Sequence, residues 1–510
     1  MTRSSLRACV ACAVAPCTGA PVRYDVSMTP PAHRRPHRDL ARGSWAPLAS
    51  ALLLVLGGCA EDTPSQTSTS EVLSAPLAAG KNVLVVTLDT TRADALGCYG
   101  NDPRTTPHLD ALAERSVRFE TAYSATNTTS PSHLSLLSGQ RSIEHRVFAN
   151  GQPMDPATVT LPAAFASRGY RTAAFPATPF LGAPFGWQDF EHVSHPVARR
   201  RASEVRATFL RWLEDRDPTA PFFAWVHFYD PHTLYTPPPP IAEAFYAGDP
   251  RSGSDPLLAE QPFLQRWNYP KIHDWLDGLR DPRYPRAMYD GEVHFVDLQL
   301  GRIFEVLHEQ GLADETVVVV TADHGEGFGE NGVFYAHAGL FEHTLRVPLL
   351  VHVPGLGPGT VVQTPVTALD LAPTLTELCD IPWFERTAGA SLVPLLRPAT
   401  ERSGTSPVER RDVWIHEAAN NALVAVRRGR WKLIWPIAET FQRMEHSPQL
   451  FDLQADPGER NNLFDSEPQL VEELRDLVRP WARLGVVDGA LAPKMDEGIL
   501  RDLEALGYGG

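Results

Sequence analysis

Three continuous, mostly apolar runs of residues constrain the fold of this chain more than any other feature. They span residues 83–88, 222–226 and 316–321. Runs of this length are typical of strands buried on both faces of a parallel sheet. The long amphipathic segment 289–310 precedes the third run and predicts a helix. Strands and helices that alternate in this way indicate an α/β fold, with a mostly parallel sheet flanked by helices.

Acids and imidazoles follow these runs at the point where each predicted strand ends. Asp89 closes the first run, His232 lies shortly after the second, and Asp323 and His324 follow the third. In open α/β sheets, ligands bind beyond the carboxyl ends of the strands. We therefore predict that these side chains meet at one functional site.

Residues 1–58 have the pattern of an export signal that ends at a lipid attachment site. Arginines precede an apolar run at 45–56, and Gly57, Gly58 and Cys59 follow it. The run is too short to span a bilayer, so a cleaved signal is favoured over a transmembrane helix. The ending resembles the lipobox of bacterial lipoproteins, in which the cysteine is acylated and becomes the first residue. The alternative is a signal cleaved elsewhere, with an incidental Cys59.

This interpretation predicts a protein exported to the periplasm or cell surface of a bacterium and held at the membrane by lipid alone. Met28 is the alternative start, because the residues before it add nothing that a signal needs. The predicted parts are a signal peptide at 1–58, a flexible tether rich in Ser, Thr, Pro and Ala at 59–80, a catalytic domain at 81–400 and a C-terminal subdomain at 401–510. Within the last part, strands are predicted at 424–434 and 450–453, and a helix at 468–481.

The charge of the exported part excludes nucleic acid as an expected partner. Without residues 1–58, 39 Lys and Arg stand against 59 Asp and Glu, so the net charge is about −20. Nucleic-acid binding needs a basic face. A small anionic substrate is compatible with this charge, because a bound metal ion and helix ends reverse its sign locally.

The cysteines give no disulfide framework. Of the six, three lie within residues 1–58 and Cys59 is the predicted anchor, which leaves Cys98 and Cys379. Both are expected to be buried apolar thiols.

Several blocks of the sequence, taken in order, resemble the sulfatases of the alkaline phosphatase superfamily. The blocks are residues 88–100, 129–139, 323–326, 345–348, 428–433 and 452–463. The resemblance implies an alkaline-phosphatase-like sheet and a smaller C-terminal α+β subdomain with a short antiparallel sheet. It also implies an arylsulfatase-like hydrolase of sulfuric, phosphoric or phosphonic esters. Its substrate would be a small anionic ester, with a sulfated or phosphorylated glycan or lipid as a candidate.

Thr129 stands at the place of the sulfatase nucleophile, which is a Cys or Ser oxidised to formylglycine. The same oxidation of threonine would give a ketone, so formylglycine is not expected and Thr129 would act as an unmodified alcohol. Nucleotide pyrophosphatases and lipid A phosphoethanolamine transferases, which are related enzymes, use a threonine in this way on phosphorus. The segment from Thr129 to Gly139 also predicts a helix whose N-terminus favours an anion. A plain N-cap threonine is the alternative.

The resemblance implies one divalent metal ion held by Asp89, Thr129, Asp323 and His324. The ion would make the threonine hydroxyl a competent nucleophile near neutral pH. Sulfatases bind calcium with several carboxylates, but this chain has Thr90 where they usually carry a second Asp. The family thus indicates calcium, whereas a site with fewer acids and an imidazole suits zinc or manganese better.

Three further histidines are candidate catalytic residues by the same resemblance. His232 matches the sulfatase histidine near the leaving-group oxygen, and His337 stands where sulfatases carry a Lys or His. Each would donate to the oxygens of the transferred group or protonate the leaving group. By the resemblance to phosphoethanolamine transferases, both could instead hold a second metal ion. His133 replaces the arginine of the sulfatase signature, and is expected to orient Thr129 or the substrate, or to be structural.

Other polar residues near these blocks are expected to be structural. His227 continues an apolar strand and is predicted to belong to the core, and Lys432 is predicted to be an ordinary strand residue. Arg92 and Glu342 are assigned to ion pairing.

Two other functions stay open beside ester hydrolysis by Thr129. One is a phosphoethanolamine-type transferase, in which an acceptor hydroxyl replaces water. The other is a surface lipoprotein that binds anionic glycans without turnover.

Overall fold

The computed structural model describes residues 76–483, except for short gaps at 183–186, 188–189, 197, 267–269, 384–386, 399, 401, 403–404, 419–422 and 437–446. The predicted signal peptide and the lipid site at Cys59 lie outside the described residues and stay predictions. None of the described helices combines the length and the apolar composition that a membrane span requires. The predicted tether is wrong at its C-terminal end, because Ala78 is buried and its N–H donates to the carbonyl of Leu378 at 2.9 Å.

An eight-stranded sheet forms the centre of the molecule. Its strands are β1 (Asn82–Leu88), β2 (Val117–Phe119), β4 (Arg171–Phe175), β5 (His192–Val193), β6 (Phe222–Phe228), β7 (Thr316–Thr321), β11 (Leu349–His352) and β12 (Thr360–Val362). Their order across the sheet is β12-β2-β11-β7-β1-β6-β4-β5. All neighbouring pairs are parallel except the two that β11 makes. The predicted mostly parallel sheet is confirmed.

Smaller sheets flank this centre. The strands of two of them are β3 (Ala122–Tyr123), β8 (Gly327–Phe328), β9 (Phe334–Ala336), β10 (Arg346–Val347) and β13 (Val366–Thr367). An antiparallel C-terminal sheet contains β14 (Val413–Ala418), β15 (Leu423–Arg428), β16 (Trp431–Pro436) and β17 (Gln449–Asp452). This sheet confirms the predicted fold class, and the domain boundary near residue 400 stays a prediction.

The helices cover the sheets. They are α1 (Pro107–Ala113), α2 (Thr129–Ser138), α3 (Ser142–His145), α4 (Leu161–Ala166), α5 (Ala202–Asp215), α6 (Pro239–Phe245), α7 (Pro262–Arg266), α8 (Pro270–Leu276), α9 (Arg283–Glu309), α10 (Glu342–Leu345), α11 (Leu371–Leu378), α12 (Val393–Leu396) and α13 (Pro468–Arg483). The helix predicted at 289–310 is α9, which begins six residues earlier.

The pairing of the central strands positions the functional site. All residues of β1, β6 and β7 are buried, as their continuous apolar runs predict. β1 lies between β6 and β7 and pairs in parallel with both, and β4 pairs in parallel with β6. The carboxyl ends of these four strands therefore lie side by side at one edge of the sheet.

Candidate active site

Asp89, Asp323 and His324 form a buried cluster at this edge. One ligand atom from each residue lies within 4.8 Å of the others. Asp89 Oδ1 and Asp323 Oδ2 have no hydrogen-bond partner among the described residues. Burial, and then the charge of Asp323, raise the pKa of Asp89, and burial raises that of Asp323 to about 6. Two buried carboxylates with unpaired oxygens are costly without a cation, so this cluster fits a divalent metal ion.

The second oxygen of Asp323 is held by backbone amides. Asp323 Oδ1 accepts hydrogen bonds from the N–H of Thr90 at 3.1 Å and of His324 at 2.9 Å. Thr90 adopts a left-handed conformation with φ 51°, which is uncommon for a residue with a Cβ. At the position where sulfatases usually carry a second acid, this chain thus contributes a main-chain donor.

His324 is neutral, and its tautomer follows from its contacts. Its Nδ1 lies 3.1 Å from the carbonyl oxygen of Gly325, which only accepts, so the proton is on Nδ1. Burial lowers the pKa of His324 to about 4. The lone pair on Nε2 faces the cluster, 3.4 Å from Thr129 Oγ1 and 3.3 Å from Asp323 Oδ2.

Thr129 is fully buried at the first position of α2, as its sequence context predicts. The helix ends at Gly139, whose φ of 67° gives the left-handed stop. The structure thus brings together the four residues predicted to surround one metal ion.

The start of α2 was predicted to favour an anion, but few of its backbone N–H groups are free to donate to one. The N–H of Ser130 donates to Asn150 Oδ1 at 2.8 Å, and that of Ser132 donates to the Thr128 carbonyl. Pro131 has no N–H. Asn150 Nδ2 is buried and has no hydrogen-bond partner among the described residues. Asn150 lies in a loop with no local pattern to mark it, so its place at the site was not predicted from the sequence.

His232 and His337 lie beside His324. The rings of His324 and His337 are 4.2 Å apart, and those of His232 and His337 are 5.6 Å apart. Each of the two places Nδ1 against a backbone carbonyl, of Thr233 at 2.9 Å for His232 and of Asn127 at 2.6 Å for His337. Burial and neighbouring imidazoles hold both pKa values well below the usual range. An anionic substrate beside them would raise both pKa values again.

His133 supports the first turn of α2. Its Nδ1 donates to the carbonyl of Thr129 at 2.8 Å, so its Nε2 accepts from the Thr87 hydroxyl at 2.9 Å. The Thr87 oxygen in turn accepts the indole N–H of Trp225 at 2.9 Å. The ring is fully enclosed. Of the predicted roles, this geometry favours the orientation of Thr129.

Two residues that the sequence analysis did not assign to the site lie against it. His227 was predicted to be core and is fully buried, but its Nε2 lies 3.0 Å from Asp89 Oδ2. The guanidinium of Arg199 lies over the Tyr229 ring at 4.8 Å, and that ring stacks on His232 at 4.5 Å. The charge of Arg199 lowers the pKa of Asp89, which opposes the effect of burial.

The predicted structural residues have mixed outcomes. Arg92 forms ion pairs with Asp94 at 2.6 Å and Glu330 at 2.7 Å, as expected. Lys432 lies on β16 as predicted, but it is not an ordinary strand residue, because its side chain is 1% exposed and contacts two carboxylates. Cys379 is buried as predicted, whereas Cys98 is only half-buried, and both are free thiols.

Comparisons with known proteins identify the family to which the chain belongs. A family model described as Sulfatase matches residues 81–381, and one described as N-sulphoglucosamine sulphohydrolase, C-terminal, matches residues 329–480. The chain is 27% identical to a choline-sulfatase of Rhizobium meliloti, over 76% of this chain and 82% of that protein. It is 25% identical to the multifunctional alkaline phosphatase superfamily protein PehA of Trinickia caryophylli, over 78% and 93%.

A similar solved structure is a protein in complex with its substrate D-glucosamine-2-N,6-O-disulfate. Its TM-score is 0.64 at 21% identity, and the match covers 81% of this chain and 99% of that chain. At this identity the likeness concerns the fold alone.

Proposed function

Because the chain belongs to the sulfatase family, we propose that it hydrolyses sulfuric, phosphoric or phosphonic esters by attack of the Thr129 hydroxyl at a site with one divalent metal ion. One observation carries this proposal. The Thr129 hydroxyl is buried 3.4 Å from the lone pair of a neutral His324, beside two carboxylates that each keep an unpaired oxygen.

Asp89, Asp323, His324 and Thr129 would hold the ion. When bound, it would lower the pKa of the Thr129 hydroxyl, so that the proton is lost to solvent before attack, and would offset the negative charge of the ester. The donor set of two carboxylates, one imidazole and one hydroxyl suits zinc or manganese, and calcium is the family's ion.

The residues of the chain supply the rest of the reaction. Thr129 Oγ1 forms a bond to sulfur or phosphorus while the bond to the leaving-group oxygen breaks. A protonated His232 or His337 gives its proton to that oxygen. Water then cleaves the covalent ester of Thr129, which releases the sulfuric, phosphoric or phosphonic acid and restores the hydroxyl.

The substrate we propose is a small anionic ester. The relative above is named for choline sulfate, and the solved structure contains a disulfated amino sugar. The feature that these two compounds share is a sulfate ester. A sulfated glycan is therefore one candidate among several, and Arg199 at the wall of the site would favour an anion.

The test is turnover of nitrophenyl sulfate, phosphate, phosphate diester and phosphonate esters, measured together with bound metal. We expect Thr129→Ala to lower kcat/KM by at least about 10³-fold, since the nucleophile is lost. Thr129→Ser should keep measurable turnover, because an alcohol remains. The control is Thr128→Ala, which removes a neighbouring buried hydroxyl whose contact is Asn127 at 3.3 Å and should leave kcat/KM near that of the wild type.

Other outcomes separate the alternatives. Turnover unchanged in Thr129→Ala would remove this residue from the mechanism. Turnover that requires an added alcohol would identify a transferase. No turnover of any ester at any metal loading would favour the binding lipoprotein.

A further inference from the structure

A line of hydrogen bonds crosses the edge of the sheet from β4 to β1. The N–H of Ala177, shortly after β4, donates to His227 Nδ1 at 3.2 Å. On β6, His227 presents Nε2 to Asp89 Oδ2 at 3.0 Å. The next strand along is β7, which ends at Asp323 and His324.

The amide of Ala177 fixes the tautomer of His227. A backbone N–H only donates, so Nδ1 must be the acceptor and the proton of the neutral ring is on Nε2. The ring is wholly buried among Trp225, His133 and Tyr229. Nε2–H therefore donates to the carboxylate of Asp89.

This contact distinguishes the two oxygens of Asp89. Oδ2 is occupied by His227, whereas Oδ1 has no hydrogen-bond partner among the described residues. The backbone of Asp89 is held as well, because its N–H donates to the Phe228 carbonyl at 2.8 Å. The carboxylate is thus fixed with one oxygen left for a cation.

We propose that His227 is a positioning residue that holds Asp89 in the orientation in which Oδ1 binds the divalent ion. The proposal rests on the proposed function, because it assumes that Asp89 is a metal ligand. Hydrogen bonds from outside the ligand set commonly orient metal-binding side chains, and their loss typically weakens metal binding by about 10–100-fold. His227 would act through Asp89 and would not touch the substrate.

The test compares donors at position 227 by metal affinity, measured on the full chain by competition with a chromophoric chelator for Mn²⁺ and Zn²⁺. His227→Leu removes the donor and should weaken binding by about 10–100-fold. His227→Gln carries an amide N–H at about the reach of Nε2 and should restore affinity to within about threefold. His227→Met, a second variant without a donor, covers the case that the leucine variant does not fold.

His145 offers a matched control. It is also a buried histidine whose Nδ1 accepts a backbone N–H, from Val147 at 3.1 Å, but its Nε2 faces the hydroxyl of Ser135 at 3.0 Å, which is not one of the proposed ligands. His145→Leu should lower the unfolding temperature without changing metal affinity. A general loss of packing would instead weaken metal binding in both leucine variants.

Each result decides the proposal. Wild-type affinity in His227→Leu, or glutamine and leucine variants that bind equally weakly, would overturn the role of His227 alone. If wild type and Asp89→Asn bind the ion alike, Asp89 is not a ligand, and the proposed metal site fails together with this inference.

Discussion

Gly325, the residue after His324, marks a close approach of two backbone segments at the site. A Cβ at this position would lie 2.1 Å from the carbonyl oxygen of His343, and the N–H of Gly325 donates to the Thr344 carbonyl at 2.6 Å. Only glycine lets the chain pass so close while His324 faces the cluster.

Gly325→Ala should therefore displace His324. We expect a loss of about 1–3 kcal/mol in the free energy of unfolding, because the backbone must move to admit the methyl group, and at least a tenfold loss in kcat/KM from a misplaced ligand. Gly357→Ala is the control, because no atom lies within 4 Å of its Cβ position, and it should change neither quantity. Wild-type turnover in Gly325→Ala would show that the close contact is not needed.

For single residues, the sequence predicts the site residues that directly follow buried strands. It does not predict residues that join the site through contacts with distant parts of the chain. Asp89, Asp323 and His324 are marked by the apolar runs before them. His227 and Asn150 gain their roles from partners on a neighbouring strand and at a helix start, at distances along the chain that no local pattern records.

Among the contacts between secondary-structure elements, those of Lys432 join the C-terminal sheet to the catalytic part. On β16, its Nζ lies 2.9 Å from Glu342 at the start of α10 and 2.8 Å from Glu459 after β17. Glu459 also accepts the N–H of Glu342 at 2.6 Å, and its carbonyl accepts from Asn331 at 2.6 Å. These contacts anchor the segment that carries His337.

Lys432→Met should lower the free energy of unfolding by about 3–5 kcal/mol, because it leaves the buried carboxylate of Glu459 without its cation and removes one of the partners of the partly buried Glu342. Denaturant unfolding measures this loss. Arg430→Met is the comparison, since its ion pair with Asp452 lies on a half-exposed side chain and should contribute at most about 1 kcal/mol. Equal losses in the two variants would contradict a special role for the buried amine.

Long elements are predictable from the sequence and short ones are not. β1, β6 and β7 are long enough for a continuous apolar run to show, and α9 and α13 are long enough for a helical period to show. The run at 424–434 was predicted as strand without its turn, but Gly429, with φ 59°, divides it into β15 and β16. Strands of two or three residues such as β3 and β12 are defined by hydrogen bonds to adjacent strands. They are too short to contain a sequence pattern that would predict them.

Buried neutral histidines make the stability of the whole molecule depend on pH. Burial lowers the pKa of His145 to about 3 and that of His416 to about 4. The unfolded chain, with histidine pKa values near 6.5, takes up protons first as the pH falls. Stability contributed by these groups is therefore complete above about pH 6.5 and is lost below it.

His145→Gln should reduce this acid sensitivity. When the pH falls from 8 to 5.5, one histidine that stays neutral in the folded state lowers the free energy of unfolding by about 1.4 kcal/mol. The variant should not show this part of the loss. The free energy of unfolding, measured at both pH values for wild type and variant, gives the difference, with pH 8 as the reference. An identical loss in both proteins would mean that His145 is protonated in the folded state.

The position of β1 between β6 and β7 delays the pairing of this strand until much of the chain has been synthesised. Val83 pairs with Phe223 and with Val317, so β1, the first strand among the described residues, waits for partners that are synthesised much later. Pairing over such separations is slow, and the unpaired edges of the early chain invite aggregation. His324 is translated after all of these strands, so the proposed ion site is complete only once the last of them has been synthesised. For a chain translocated unfolded, the ion would come from the compartment where folding is completed.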